Sequence, residues 1–138
     1  MIKFENVSKS YANKIKILRD INLHIKVGEF VSIVGQSGAG KTSLVKILIG
    51  EEKVDEGKVI IGDWDITKIK RHDIPFLRRQ IGVIFQDFKL LPKKTLKENI
   101  SFALEVCGAS PAKIKKIVPS VLKIVGLEDK GDRYPREV

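Results

Sequence analysis

The stretch that decides the fold reads Gly35-Gln36-Ser37-Gly38-Ala39-Gly40-Lys41-Thr42, and it directly follows the apolar run Phe30–Val34. Its eight positions hold three glycines, one lysine and two hydroxyl side chains. Glycine adopts positive φ without a steric penalty, so this segment can curl tightly. The pattern predicts a sharp turn between a strand and a helix, with a concave backbone suited to an anion.

The spacing Gly35-x-x-x-x-Gly40-Lys41-Thr42 matches the phosphate-binding loop. Backbone N–H groups of such a loop converge on phosphate oxygens, and the helix that follows directs its positive end at the same place. Lys41 adds a full charge for the outer phosphates, and the Thr42 hydroxyl can bind Mg²⁺. The motif predicts a nucleotide phosphate and no particular activity, because small-molecule kinases, GTPases and ATPases share it. The alternative is a glycine-rich turn without a ligand.

Strands are predicted on both sides of this loop. Alternating apolar and polar residues at Ile2–Val7 and Ile21–Val27 are typical of an antiparallel hairpin or meander. The predicted turns are Asn13-Lys14, Gly28-Glu29 and Asp55–Gly57, with a loop at Gly62–Asp65. Further strands are predicted at Lys58–Ile61 and at the apolar runs Phe30–Val34 and Ile81–Phe85, of which Phe30–Val34 is predicted to be buried on both faces.

Four helical segments are predicted, and the C-terminal part is predicted to be mainly helical. A short buried helix over Thr42–Ile49 should end at Gly50, and a helical turn is predicted over Asp73–Arg79. Two longer helices are predicted at Thr95–Val106 and from Ser110-Pro111 to Gly126, the second with a break or kink at Pro119.

The composition is that of a soluble globular domain, with 43% hydrophobic and 31% charged residues in 138. The net charge of +9 comes from scattered lysines without interleaved aromatic residues, so we interpret it as a solvated face and expect no nucleic acid partner. Cys107 is the single cysteine, and His24 and His72 lack metal-ligand spacing. The sequence has no targeting segment and no run near the roughly 18 apolar residues that span a bilayer, so a membrane role would need a partner.

The flanks of the loop resemble the nucleotide-binding domain of ABC ATPases. Tyr11 follows the first strand, an antiparallel pair precedes the loop, and Gln86 follows the run Ile81–Phe85. The resemblance covers the chain and implies an α/β, P-loop NTPase fragment with an antiparallel β subdomain, an incomplete core sheet and the start of a helical subdomain. Within a partial ATP-binding domain over 1–138, residues 1–86 would form the antiparallel β subdomain and P-loop core, and 87–138 the start of the helical subdomain.

The stretches Phe85–Ile100 and Phe102–Val106 look most like the cell-division branch of this family. That resemblance implies an ATP-binding subunit that works with a permease-like membrane subunit of the FtsX type. It also implies a homodimer and a cytoplasmic position at the inner face of the cell membrane, through that partner. Another ABC importer or exporter is the alternative.

The resemblance also implies roles for single residues, with ATP and Mg²⁺ as cofactors. Tyr11 would stack on adenine, or else pack on the hairpin; Gln86 would touch Mg²⁺ or the attacking water, or else end a strand. Phe88, Leu90 and Leu91 would face the membrane partner, or else form local core. The implied nucleotide-binding residues are Tyr11, Gly35, Gln36, Ser37, Gly38, Ala39, Gly40, Lys41, Thr42, Ser43 and Gln86, with Thr42 and Gln86 at the metal.

Several parts of the family's machinery are not found in these 138 residues. Tyr134–Glu137 resembles the lead-in to the family signature, but the signature, the Walker B aspartate, the catalytic glutamate and the switch histidine do not follow. We therefore assign no catalytic residue and expect little or no hydrolysis, and unpaired strand edges beside Phe30–Val34 and Ile81–Phe85. The alternatives are a non-functional fragment, a small phosphate-loop kinase and a nucleic-acid-binding module driven by charge.

Overall fold

The structure is a computed structural model, and it describes residues 1–11 and 15–138. The turn predicted at Asn13 and Lys14 lies outside the described residues. Contacts divide the chain into two compact units, Met1–Gly82 and Val83–Val138. The subdomain boundary expected after residue 86 stays a prediction.

A four-stranded antiparallel sheet forms the first unit, in the strand order β2-β1-β3-β4. The strands are β1 (Ile2–Tyr11), β2 (Ile15–Ile25), β3 (Glu56–Ile61) and β4 (Trp64–Asp65). The predicted hairpin and the strand at 58–61 are confirmed. The loop predicted at 62–65 is wrong for its second half, because Trp64 and Asp65 pair with Ile61 and Ile60.

One hydrophobic cluster joins the sheet to two helices, α1 (Lys41–Leu48) and α2 (Ile74–Arg79). Val7 and Val59, on neighbouring strands, are fully buried. The other buried members of the cluster are Phe4, Leu18, Leu44, Ile47, Ile66, Ile69 and Leu77. Burying this apolar surface holds α1, and with it the glycine-rich loop, at a fixed place beside β2.

The strands predicted at Phe30–Val34 and Ile81–Phe85 are wrong in this structure. Neither segment belongs to the sheet of the described residues, and the Phe30 and Ile84 side chains are 97% and 90% exposed. A strand exists only where a neighbouring strand takes its N–H and C=O groups, and no described strand pairs with either segment. The core sheet is therefore incomplete, as the sequence predicts.

The second unit is mainly helical, with α3 (Leu96–Val106), α4 (Pro111–Ile124) and 3₁₀ turns at Glu128–Lys130 and Pro135–Glu137. Thr95 and Glu98 form a capping box at the start of α3, and the Ser110 hydroxyl caps α4. Of the break or kink predicted at Pro119, the break is wrong, because α4 runs through this residue, and the kink stays a prediction. A proline removes only one N–H donor, and the burial of Val118 and Leu122 holds the helix together on both sides of it. Within the described ranges, no helix is long and apolar enough to cross a membrane.

Candidate functional site

The loop between residues 35 and 43 is curled as predicted. Gly38 and Gly40 have φ of +82° and +88°, and the Ala39 N–H donates to the Gln36 carbonyl at 3.2 Å. Helix α1 begins at Lys41 with Gly40 as its N-cap, and no side chain caps it. The first N–H groups of a helix have no partner inside the helix. The loop therefore ends in uncapped N–H groups at the positive end of a helix, an arrangement suited to an anion.

Gly40 is required by close packing as well as by its φ. A Cβ at this position would lie 2.7 Å from Leu18 Cδ2 and 3.1 Å from Ile17 Cγ2. The loop can therefore rest directly on β2 only because residue 40 has no side chain.

Lys41 reaches back across the loop that precedes it. Its Nζ donates to the Gly35 and Gln36 carbonyls, at 2.7 Å each. An ammonium group has three N–H donors, so one donor is left beyond these two bonds. This geometry fixes the charge of Lys41 within the curl of the loop.

Tyr11, at the end of β1, joins the loop through its hydroxyl. The hydroxyl lies 2.9 Å from Ser43 Oγ and also donates to the Glu52 carboxylate. Burial first, and the Glu52 hydrogen bond second, raise the pKa of Tyr11. Tyr11 remains 40% exposed, with Lys9 Nζ 5.7 Å from the centroid of its ring. Tyr11 thus stands beside the loop, and its stacking on adenine stays a prediction.

Tyr11 and the loop line one cleft of about 330 Å³. Its eight lining residues are Tyr11, Ile17, Ser37, Gly38, Gly40, Lys41, Thr42 and Ser43. None of the eight carries a carboxylate, and together they offer an aromatic ring, hydroxyls, an ammonium group and glycine backbone. This donor set fits a ligand with a planar apolar end and an anionic end.

The protein itself supplies few ligands for a metal. Among residues 1–11 and 15–138, no group of three or more His, Cys, Asp or Glu side chains could hold a metal ion. Mg²⁺ usually keeps several waters and takes only one or two protein ligands together with phosphate oxygens. Thr42, which is exposed in the wall of the cleft, fits such a sparse site.

Gln86 lies in the second unit, where it is exposed at the start of a turn. The Phe88 N–H donates to the Phe85 carbonyl at 3.0 Å, and Phe88 and Lys89 both have positive φ. Positive φ is unfavourable for residues with side chains, so this turn needs support from its surroundings. The predicted contact of Gln86 with Mg²⁺ or water stays a prediction.

The apolar residues after Gln86 are largely on the surface. Phe88 is 70% exposed and Leu90 50% exposed, whereas Leu91 is half-buried. The alternative reading of these residues as local core is therefore wrong for Phe88 and Leu90. Large exposed apolar side chains of this kind are typical of interaction surfaces.

Asn99, on α3, holds this segment in place. Its Oδ1 accepts the Leu91 N–H at 2.8 Å, and its Nδ2 donates to the carbonyls of Leu91, Lys94 and Thr95 at 3.2, 3.1 and 2.9 Å. One side chain thus lies within hydrogen-bond distance of four backbone groups, with its two N–H donors shared among three carbonyls, so it fixes the segment that presents Phe88 and Leu90.

Replacing Asn99 with alanine is expected to loosen residues 88–95 while α3 stays helical. Its half-buried amide bonds are lost, and each is worth about 1 kcal/mol. Exchange of the Leu91 N–H with deuterium should therefore speed up at least about tenfold. Ser101→Ala, which removes one exposed bond to Lys97 on the same helix, is the matched control. Equal exchange rates in the two variants would contradict the role of Asn99.

The comparisons with known proteins agree with this geometry. The family model described as ABC transporter matches residues 18–138. The chain belongs to the ABC transporter family. The predicted α/β, P-loop fold class and the family resemblance are therefore confirmed.

Several similar proteins are cell division ATP-binding proteins. It is 49% identical over its whole length to the cell division ATP-binding protein FtsE of Bacillus subtilis, covering 60% of that protein. It is 44% identical over its whole length to FtsE of Streptococcus pneumoniae strain D39, also covering 60%, and 42% identical over 98% of the chain to FtsE of Escherichia coli K12, covering 61%. The chain thus spans about three fifths of the length of these relatives.

Solved structures match the fold. The ATP-binding cassette MJ0796, in a dimeric post-hydrolysis state bound to ADP and Pi, gives a TM-score of 0.87 at 34% identity and covers all of this chain and 63% of that one. A second dimeric structure of MJ0796, a bacterial ABC transporter cassette, gives 0.86 at 34% identity, with the same coverage.

Sequence reasoning missed three polar residues, which are Lys46, Glu52 and Asn99. Lys46 lies in α1 and Glu52 lies after it, and in the sequence their charges look like an ordinary solvated face. Asn99 lies on a helix that was predicted from its apolar stripe. Only Asn99 offers a signal, since asparagine is a poor former of helix interiors and often bonds backbone. Nothing in the sequence distinguishes Glu52 from its neighbour Glu51.

Proposed function

We propose that this chain is the ATP-binding part of an ABC-type ATPase of the cell-division kind, which binds Mg-ATP in the cleft between Tyr11 and the glycine-rich loop. The observation that carries this proposal is the convergence of the Tyr11 ring, the Lys41 ammonium and the curled loop on one cleft of about 330 Å³. An adenine nucleotide has the planar end and the anionic end that this cleft can take. Membership of the ABC transporter family supports the same ligand.

Each residue has a role that its chemistry supports. The N–H groups of the loop from Gly35 to Ser43 bind phosphate oxygens, and Lys41 neutralises the outer phosphates. The Thr42 hydroxyl takes one position on Mg²⁺, and Gln86 touches Mg²⁺ or the attacking water. Tyr11 packs on the base. When bound, Mg²⁺ held by Thr42 and Gln86 would neutralise phosphate charge.

The relatives and the exposed apolar surface support a proposal about partners. We propose a permease-like, FtsX-like membrane subunit that covers Phe88 and Leu90, and a position on the cytoplasmic face of the membrane through it. The relatives are named cell division ATP-binding proteins, which supports this branch over other ABC importers and exporters. The dimeric structures of the MJ0796 cassette support a homodimer.

Calorimetric titration of the 138-residue chain with ATP tests the proposal. We expect binding in Mg²⁺ and about tenfold weaker binding when the metal is chelated, because one charge-assisted contact is lost. Thr42→Val, which keeps the shape of threonine without the hydroxyl, should reduce affinity in Mg²⁺ by a similar factor. Thr42→Ser, which keeps the hydroxyl, is the matched control and should bind as the wild type does.

Two outcomes would contradict the proposal. If the wild-type chain binds no ATP at millimolar concentration, the proposed function itself is contradicted. Equal Mg²⁺ dependence in Thr42→Val and Thr42→Ser would leave nucleotide binding but remove Thr42 from the metal site.

A further inference from the structure

Glu52 lies in the turn that follows α1, and its position is well fixed. The Glu51 and Glu52 N–H groups both donate to the Lys46 carbonyl, at 2.8 and 3.2 Å. The Glu52 side chain is only 16% exposed, and its second carboxylate oxygen lies 3.4 Å from Lys46 Nζ. The carboxylate therefore has a charged partner on one oxygen and presents the other to Tyr11.

The three groups form a directed chain of hydrogen bonds. An ionised carboxylate can only accept, so the single Tyr11 proton goes to Glu52. The Tyr11 oxygen is then free to accept the proton of Ser43, whose Oγ lies 2.9 Å away. The hydroxyl of the tyrosine ring is held by Ser43, in α1, on one side and by Glu52, in the turn after α1, on the other.

We infer that Glu52 is a positioning residue for nucleotide binding, which holds the Tyr11 ring in the orientation that receives the base. The inference rests on the proposed function. Tyr11 lies at the end of a strand and is 40% exposed, so its own packing leaves the ring freedom to turn. A side chain that is fixed before binding loses less conformational freedom when the ligand arrives.

The position of Glu52 limits its influence to the base end of the ligand. Glu52 is not among the residues that line the cleft, and its described contacts are to Tyr11 and Lys46. Its loss should therefore weaken ATP while leaving inorganic tripolyphosphate, which has no base, unaffected. A role in building the phosphate loop would weaken both.

Titration of the 138-residue chain with both ligands tests the inference. For Glu52→Ala we expect about fivefold weaker binding of ATP and less than a twofold change for tripolyphosphate. Glu51→Ala is the matched control, because Glu51 also pairs with Lys46, at 3.6 Å, and lies next in the chain. In a Tyr11→Phe background, the Glu52 substitution should change ATP affinity by less than twofold, because the hydroxyl it holds is gone.

The ionisation of Tyr11 gives a readout that a merely structural role would not move. In a Tyr134→Phe background Tyr11 is the single tyrosine of the chain, so the ultraviolet titration of the phenol reports Tyr11 alone. A raised pKa in the fold means that Tyr11 stays protonated, and its stabilising contacts persist, through the ordinary tyrosine range near about pH 10 and are lost above it. Glu52→Ala should move the titration of Tyr11 to lower pH, whereas Glu51→Ala should not. Lys9 and Lys46 are the neighbouring positive charges in the wild type and in both variants.

The outcomes distinguish a failure of this inference from a failure of the proposed function. If the wild type binds ATP and the Glu52 and Glu51 variants bind it equally, the positioning role is overturned and the proposed function stands. If the wild type binds no ATP, both are overturned. If Glu52→Ala unfolds, Glu52→Gln, which keeps the shape but accepts more weakly, should still bind ATP about two- to threefold less tightly than wild type, and unchanged affinity there overturns the inference.

Discussion

Replacing Lys41 with alanine is expected to weaken ATP binding by about 100-fold while leaving adenosine binding unchanged. The ammonium group sits across the loop, held by the Gly35 and Gln36 carbonyls at 2.7 Å, with one N–H left over. A charge-assisted hydrogen bond contributes about 1.5–3 kcal/mol, and about 1.4 kcal/mol changes affinity tenfold. Adenosine has no phosphate for Lys41, so its affinity reports the Tyr11 end of the cleft alone.

The control for this experiment removes the same charge from a different place. Lys53 is exposed, and Lys53→Ala lowers the net charge of the chain by one unit without touching the cleft lining. Competition binding with a fluorescent nucleotide measures ATP and adenosine on the same scale. The assignment of Lys41 fails if Lys53→Ala weakens ATP equally, or if Lys41→Ala weakens adenosine as much as ATP, since the lysine would then act on the loop fold alone.

The helices and the loop were predictable because their signals are local. Gly40 before Lys41, Thr95 with Glu98, and Ser110 before Pro111 each mark a helix start through groups no more than three residues apart. The hairpin was predictable in the same way, from alternation along each strand.

The strand predictions for the two apolar runs are wrong because a strand depends on partners that lie far away in the chain. Phe30–Val34 has the composition of a buried strand, and no described strand pairs with it. Composition reports what a segment can bury, whereas burial also requires a surface that accepts it. The predicted break at Pro119 is wrong for the opposite reason, since packing on both sides kept a helix that propensity alone would have broken.

The same distinction between local signals and long-range contacts applies to the candidate site. The phosphate end was predictable, because a glycine-rich loop dictates its own backbone, and Gly38 and Gly40 adopt the positive φ that their identity allows. The polar chain from Ser43 through Tyr11 to Glu52 joins three distant segments. Its members had to be brought together by the fold before their contacts became visible.

Replacing Gly57 with alanine is expected to lower the free energy of unfolding of the first unit by about 2–5 kcal/mol. Gly57 lies in β3 with φ of +86°, opposite a bulge in β1 where the pairing shifts between Glu5 and Ser8. A Cβ there would lie 2.4 Å from the Asn6 carbonyl oxygen and 2.5 Å from that of Glu5. The left-handed backbone costs an alanine about 1–2 kcal/mol, and forced overpacking adds about 1–3 kcal/mol. Both contacts are with backbone, which cannot move aside without breaking the ladder between β1 and β3.

Gly62→Ala separates these two costs. Gly62 also has positive φ, +57°, but a Cβ at this position would meet no atom within 4 Å, so alanine there should cost only the backbone term of about 1–2 kcal/mol. Urea denaturation of both variants, followed by circular dichroism, gives the difference in the free energy of unfolding. A loss at Gly57 that exceeds the loss at Gly62 by at least about 1 kcal/mol measures the close approach of β3 to the β1 bulge. Equal losses at the two glycines would mean that the bulge yields to a methyl group, and that the sheet beneath Tyr11 is not held rigidly at this point.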